Sequence, residues 1–298
     1  MSPKMAPASV RVRSSRSLVP SQLGSRGWHF SALFLSALMM CCTPDVDEIQ
    51  QPAQPPAAES DQAEAVPTRS TAPANRKALL HAAGFGNLAD VQELLKQGAD
   101  PDARAKDPTG RTALILASAG GHVEIVNALL ARGATVDERD RTGHTALNWA
   151  AMRGRTKVVA ALLRKGADIN TQDNGGVSPL LYAVGTHNTI MVRMLVVNDA
   201  DLEVESRENK MTPLLLAIEH DDIESVSILL DGGAKVNRAN GDKFSPLMAA
   251  AEKGQVEMVR LLLAKGADAN ARDQGGRTAL VMAKKLGRTE VVELLAVP

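Results

Sequence analysis

The chain repeats a four-residue motif at a spacing of 33 or 34 residues. A single unit of this size cannot bury its own apolar face, so such copies are expected to stack in a row and complete one another's core. A degenerate earlier copy begins near Lys77, which gives seven units between residues 77 and 298. The six clear copies of the motif are Thr112–Ile115 (TALI), Thr145–Asn148 (TALN), Ser178–Leu181 (SPLL), Thr212–Leu215 (TPLL), Ser245–Met248 (SPLM) and Thr278–Val281 (TALV).

The residues inside each unit predict two helices. Each motif begins with Thr or Ser, whose side chain is a good N-cap acceptor, and its third residue is a leucine that suits a buried position. Farther along, segments such as Val123–Leu130 (VEIVNALL) place apolar residues at the i, i+3 and i+4 spacing of a helix with one buried face. Between the two helices a left-handed residue is wanted, and five units carry a glycine there, namely Gly86, Gly121, Gly154, Gly254 and Gly287.

This repeat resembles that of the ankyrin repeat family, in which TPLHxA opens the first helix of each unit. The match extends over residues 77–298, and GAD or a variant of it begins 21 residues after the start of each of the first six units. The resemblance implies an all-α solenoid of about seven helix-turn-helix units with β-turn fingers. It also implies a non-catalytic scaffold that takes no cofactor or metal and binds a protein partner. We expect the array to be monomeric.

The resemblance further implies where a partner would bind. Ankyrin arrays generally use a concave groove formed by the finger tips and the exposed end of each first helix. Met211 and Phe244 stand out in that groove, because apolar side chains at positions expected to face solvent are candidate interface anchors. Carried over position by position, the groove residues are Arg141, His144, Met152, Arg153, Asn174, Thr186, Asn209, Met211, Glu219, His220, Asp242, Phe244, Glu252, Lys253, Gln274, Arg277, Lys284 and Lys285.

Units four and five depart from the pattern. His187 and Asp221 replace the glycine of the helix-helix turn, and Lys210 and Lys243 stand where the fingers usually carry glycine. Residues with a Cβ tolerate a left-handed conformation less well than glycine does, at about 1 kcal/mol each. Units four and five are therefore predicted to be the least stable part of the array.

The composition argues against a nucleic-acid partner. The chain has 34 basic and 34 acidic residues, and only 2% of its residues are aromatic, so it lacks both a basic footprint and stacking platforms.

Trp149 and Tyr182 occupy equivalent positions 33 residues apart and are predicted to be core residues. The GFGNLA segment at residues 84–89 matches the dinucleotide-binding motif GxGxxA. No strand precedes it, which favours a helix-helix turn.

A different class of function is a small-ligand or metal-binding module at units four and five. The sequence offers His187, His220 and neighbouring acidic residues for such a site. A cluster built on residues 220–222 (HDD) would need remote ligands, so a solvated turn is the favoured interpretation.

The N-terminal residues predict export. Residues 1–30 carry five basic residues and no acidic one, and the apolar run that follows, Trp28–Met40, is too short to span a bilayer. This arrangement is typical of a signal peptide, predicted over residues 1–41. The only two cysteines, Cys41 and Cys42, end the run and resemble the lipobox of bacterial lipoproteins, which implies that one of them is lipidated. An ordinary cleaved signal is the alternative.

Residues 42–76 are rich in Pro, Ala, Gln and acidic residues and are predicted to be a disordered linker. The whole chain is then expected to be a lipid-anchored scaffold of the bacterial cell envelope that faces the periplasm or the cell surface. The alternative is a secreted effector that acts on a foreign or host protein.

Overall fold

The computed structural model describes residues 72–208 and 210–296, which form fourteen α-helices in seven consecutive pairs. The predicted all-α repeat solenoid is confirmed over these residues, where the one β feature is an isolated bridge between Arg104 and Thr112. Each pair is one unit, whose first helix we call the inner helix and whose second the outer helix. The pairs are α1 (Ala72–Phe85) and α2 (Leu88–Lys96), α3 (Ala113–Gly120) and α4 (Val123–Ala131), α5 (Ala146–Met152) and α6 (Thr156–Arg164), α7 (Pro179–Gly185) and α8 (Thr189–Val197), α9 (Pro213–Glu219) and α10 (Ile223–Asp231), α11 (Pro246–Lys253) and α12 (Val256–Ala264), and α13 (Ala279–Lys285) and α14 (Thr289–Ala296).

The core lies between successive units. The two helices of each unit pack against each other, and each inner helix also packs against the inner helices of its neighbours. The leucine of the motif sits in this interface, and burying each one contributes about 1.5–3 kcal/mol. In the last unit, Leu280 is only half-buried, because among the described residues α13 has an inner-helix neighbour on one side only. The leucines exposed by 1–2% are Leu114, Leu147, Leu180, Leu214 and Leu247.

The Thr or Ser that opens each motif caps the inner helix, as predicted. Its side-chain oxygen accepts a hydrogen bond from the backbone N–H three residues later, at 3.3 Å in α3 and 3.4 Å in α13. This bond satisfies one of the free amides of the first turn. Proline occupies the first helical position of α7, α9 and α11, where its missing N–H costs nothing.

The left-handed turns are confirmed at glycine and non-glycine positions alike. Gly121 and Gly254 have φ angles of 90° and 77° after their inner helices. His187 and Asp221 adopt 54° and 56° at the equivalent turns of units four and five. Lys210 and Lys243 are also left-handed, at 53° and 56°. Each of these residues costs roughly 1 kcal/mol relative to glycine, which supports the prediction that this part of the array is the least stable.

The first unit begins earlier than the sequence indicates. Helix α1 starts at Ala72, inside the segment 42–76 assigned to the linker, and Pro73 in its first turn is compatible with a helix start. The predicted signal peptide, both cysteines and the rest of the linker lie outside the described residues. Within the described residues, no helix is both long enough and apolar enough to cross a membrane.

Candidate interaction surface

Among the described residues, backbone hydrogen bonds join the finger tips of units two to five to one another and the tip of unit six to that of unit seven. The N–H of Arg141 donates to the carbonyl of Thr109 at 3.0 Å, and the N–H of Asn174 donates to Thr142 at 3.1 Å. A third bond of this kind runs from Gln274 to Asp242 at 3.1 Å. We call this row of tips, residues 107–110, 140–143, 173–176, 206–208, 240–243 and 273–276, the finger ridge. Exposed side chains add to these bonds, because the Asn174 amide donates to the carbonyl of Arg141 at 3.3 Å and the Gln274 amide to that of Gly241 at 2.8 Å.

Most of the predicted groove residues are accessible along the ridge and at the ends of the inner helices. Asn209 lies outside the described residues. The accessible ones, exposed or half-buried, are Arg141, Arg153, Asn174, Thr186, Glu219, His220, Asp242, Phe244, Glu252, Lys253, Gln274, Arg277, Lys284 and Lys285.

Three predicted groove residues are buried instead. Met211 is 7% exposed, so the expectation that it faces solvent as an anchor is wrong, whereas Phe244 is half-buried. His144 and Met152 are 7% and 6% exposed. For Met211 the reason is local, because its backbone N–H donates to the Ser206 hydroxyl at 3.2 Å and its carbonyl accepts from the Ser206 N–H, which folds it into the base of the finger.

His144 is buried because it joins units three and four through hydrogen bonds. Its Nε2 lies 2.9 Å from the Tyr182 hydroxyl and 3.2 Å from Oδ2 of Asp173. Its Nδ1 lies 2.7 Å from the Thr142 hydroxyl, which contacts Oδ1 of Asp140 at 2.6 Å. The Tyr182 hydroxyl donates to Asp173. Both ring nitrogens therefore face an acceptor or a hydroxyl bonded to a carboxylate, which suits a doubly protonated ring.

The charges in this cluster stabilise one another. Burial alone would lower the pKa of His144, but the carboxylates of Asp140 and Asp173 outweigh it and raise the pKa to about 9. Burial likewise opposes ionisation of both aspartates, yet their hydrogen bonds, including those from His144, lower the pKa of each. At neutral pH the cluster is thus a buried cation between two buried anions.

Trp149 extends the same cluster toward unit two. Its Nε1–H donates to Oδ2 of Asp140 at 2.8 Å, and the Arg111 guanidinium lies 4.0 Å from the ring centroid. Arg153 approaches the same ring at 5.9 Å. A cation over an indole face is attracted by the ring quadrupole. Trp149 and Tyr182 are buried, as predicted, at 1% and 5% exposure.

The charge of the accessible groove residues changes sign along the array. In unit three its charged residues are Arg141 and Arg153, and in unit seven they are Arg277, Lys284 and Lys285. Between them, units five and six contribute the acidic residues Glu219, Asp242 and Glu252 beside Lys253. The Lys253 ammonium pairs with Glu219 at 2.8 Å, while burial and then the proximity of Glu219 raise the pKa of Glu252. The groove is basic at both ends and acidic in the middle.

The residues named for a ligand or metal site at units four and five are partly brought together. His220 Nδ1 lies 3.0 Å from His187 Nε2, and Asp222 Oδ2 lies 3.8 Å from His187 Nδ1. Burial and then the neighbouring His187 lower the pKa of His220. Among the described residues, no group of three or more His, Cys, Asp or Glu side chains is arranged to hold a metal ion. The GFGNLA segment forms the turn between α1 and α2, as predicted.

Comparison with known proteins agrees with this architecture. A model of the family "Ankyrin repeats (3 copies)" matches residues 79–173, 170–240 and 233–297. The ankyrin repeat domain of Bcl-3, a unique member of the IkappaB protein family, is 28% identical with a TM-score of 0.68, over 74% of this chain and 97% of that chain. The human ASB11 ankyrin repeat domain is 30% identical with a TM-score of 0.63, over 74% of this chain and 98% of that chain.

No curated protein sequence matches the chain. The family match covers the described helices from the first unit to the last, and two solved ankyrin domains align with the chain over nearly their whole length. The chain belongs to the ankyrin repeat family.

Proposed function

We propose that this chain is a non-catalytic scaffold of the bacterial cell envelope, which binds a protein partner along the groove and is held at the membrane by a lipid on Cys41 or Cys42. Ankyrin repeat domains generally act as protein-interaction modules without catalytic activity. The observation that carries the binding proposal is the set of accessible side chains along the finger ridge and the ends of the inner helices, most of whose finger tips are joined by backbone hydrogen bonds.

A ridge of this kind is suited to binding a protein. Its finger tips are ordered before any partner arrives, so little conformational freedom is lost on association. The charge pattern adds register, because a partner that is acidic, basic and acidic along its contact strip would pair with the groove only when its basic part lies against units five and six. The large side chains that support the ridge, such as Trp149, are buried and hold it without being part of the contact.

Reversing charges on the groove is expected to abolish capture of the partner. Affinity purification from crosslinked envelopes should recover at least about tenfold less partner with the groove variant than with the wild type, because like charges oppose contact along the whole strip. The groove variant is Arg141→Glu, Asp242→Lys, Lys284→Glu and Lys285→Glu, all exposed positions. A matched control with the same net charge change on the outer-helix side is Arg132→Glu, Lys157→Glu, Arg164→Glu and Glu290→Lys, also exposed.

Equal recovery with the groove variant and the control would remove the groove as the binding surface. A charged substitution at Met211 would not test partner binding. The side chain is 7% exposed, so a charge there would destabilise unit five.

The anchor is tested by lipid labelling. Cells given labelled palmitate should incorporate the label into the wild-type chain and not into a Cys41→Ser/Cys42→Ser variant, because a thioether-linked diacylglycerol needs the thiol. A diacyl anchor also holds a protein at a bilayer far more firmly than a single chain does. A cleaved N-terminus without label would favour the secreted alternative, and label that survives in the double variant would exclude both cysteines.

A further inference from the structure

His187 and His220 form a pair whose close contact the binding of a protein partner does not explain, although His220 also lies among the groove residues. They lie at the helix-helix turns of units four and five, with His187 in a left-handed conformation at φ 54° where Gly121, Gly154 and Gly254 stand in other units. The His187 side chain is 52% exposed, and His220 is half-buried. Strained non-glycine residues cluster at functional sites, so this pair is a candidate binding site.

Two distances describe how the rings face each other. The nitrogens His220 Nδ1 and His187 Nε2 are 3.0 Å apart, and the ring centroids are 4.7 Å apart with the planes at 74°. In a straight N–H···N hydrogen bond of that length the centroids would be about 5.3 Å apart, since each nitrogen lies about 1.15 Å from its ring centre. The shorter separation means that the rings do not both lie along the line that joins the nitrogens.

Two imidazoles bound to one metal ion would show both distances. For two imidazole nitrogens bound at about 2.05 Å with an angle near 94° at the metal, the nitrogens are about 3.0 Å and the centroids about 4.7 Å apart. A tetrahedral angle would place the nitrogens about 3.35 Å apart, so the pair fits neighbouring positions of a tetragonal or octahedral ion better.

A carboxylate also lies on the far side of His187. Its Nδ1 faces the carboxylate of Asp222 at 3.8 Å. Asp222 is itself fixed, because it accepts hydrogen bonds from the N–H of Ser225 at 3.0 Å and from the Ser225 hydroxyl at 2.6 Å. The 3.8 Å distance to His187 is longer than a hydrogen bond, so the carboxylate acts through its charge, which favours the tautomer with the proton on Nδ1 and a free lone pair on Nε2.

We propose that His187 Nε2 and His220 Nδ1 form a two-histidine site for a divalent transition metal of tetragonal preference, with Cu²⁺ the tightest binder and Ni²⁺ next. Water fills the remaining positions, since no third His, Cys, Asp or Glu joins the pair among the described residues and the rings are accessible. The order of affinity follows the Irving–Williams series. The site does not depend on the proposed function.

The test is a Cu²⁺ titration of the untagged full chain, with Cys41→Ser and Cys42→Ser in every sample so that thiols neither bind nor reduce the ion. Calorimetry should show one strong site per chain, and electron paramagnetic resonance should show splitting from two nitrogens. His187→Gly and His220→Gln should each weaken binding about tenfold or more, because each removes one of two imidazole ligands. Ni²⁺ should follow the same order at lower affinity.

Two features keep the result clear. His187→Gly relieves a left-handed residue, so it leaves the fold at least as stable and its loss of binding is not unfolding. His81→Gln removes an exposed histidine on α1 and should leave Cu²⁺ binding unchanged. Equal affinity in the wild type, His187→Gly and His220→Gln, a spectrum with one nitrogen, or no saturable binding would each overturn the proposal.

Discussion

Replacing His144 with alanine is expected to lower the free energy of unfolding by about 3–5 kcal/mol, the range for removing one partner of a buried ionic group. The substitution would leave the carboxylates of Asp140 and Asp173, whose side chains are 1% and 7% exposed, without the cation between them. It would also take a hydrogen-bond partner from Tyr182 and Thr142. Urea denaturation followed by circular dichroism at pH 7 measures the change.

Two comparisons separate the charge effect from the loss of a side chain. His122→Ala removes a half-buried histidine whose Nε2 contacts the carbonyl of Gly84 at 3.2 Å, and should cost about 1 kcal/mol. In a double-mutant cycle, Asp173→Asn should recover part of the loss in the His144→Ala background, because one unpaired anion is gone. A loss below about 1 kcal/mol in His144→Ala would contradict an ionic role for this residue.

The position of the cluster explains why its loss would matter beyond one side chain. In a repeat array, stability is a sum of unit terms and interface terms between neighbours. His144 belongs to the finger of unit three, while Asp173 and Tyr182 belong to unit four, so the cluster is an interface term. It supports the finger ridge at the point where the groove changes from basic to neutral residues, which links a buried ion pair to the shape of the proposed binding surface.

The fold could be predicted because the same local structural signals recur in the units. A capping hydroxyl, a buried leucine and a left-handed turn recur at fixed phase, so Thr145, Leu147 and Gly154 have equivalents in other units that predict the same local structure. The start at Ala72 was missed since that part of the first unit has no motif to align.

The burial of His144 and Met211 could not be predicted by carrying family positions over, because position fixes the backbone and not the direction that a particular side chain takes. One signal was present in the sequence. In units three and four an aspartate precedes an aromatic donor by nine residues, at Asp140 and Trp149 and again at Asp173 and Tyr182. The equivalents of Trp149 in units two and five are Leu116 and Leu216, which carry no donor. Buried aromatic donors need acceptors, so this pairing pointed to a polar cluster at that interface.

Raising the pH from 7.5 to 9.5 is expected to lower the free energy of unfolding by about 2 kcal/mol through His144 alone. The pKa of His144 in the folded chain is about 9, above its ordinary value of 6.5. A group whose pKa is raised by folding contributes its full stabilisation below the unfolded value and loses it as the pH rises through the folded value. The free energy of unfolding therefore falls on the alkaline side of neutrality. A histidine that is buried in its neutral form causes no such decrease there.

A His144→Gln variant separates this effect from other groups that titrate in the same range. Glutamine keeps a hydrogen-bonding side chain of similar length but has no proton to lose, so the variant should be less stable at pH 7.5 and nearly level with the wild type at pH 9.5. The quantity that decides is the difference in unfolding free energy between the two proteins at each pH, from urea titrations in matched ionic strength. A difference that stays constant from pH 7.5 to 9.5 would show that His144 is neutral in the folded array, and the two aspartates would then need another cation, with Arg111 at 3.8 Å from Asp140 the nearest.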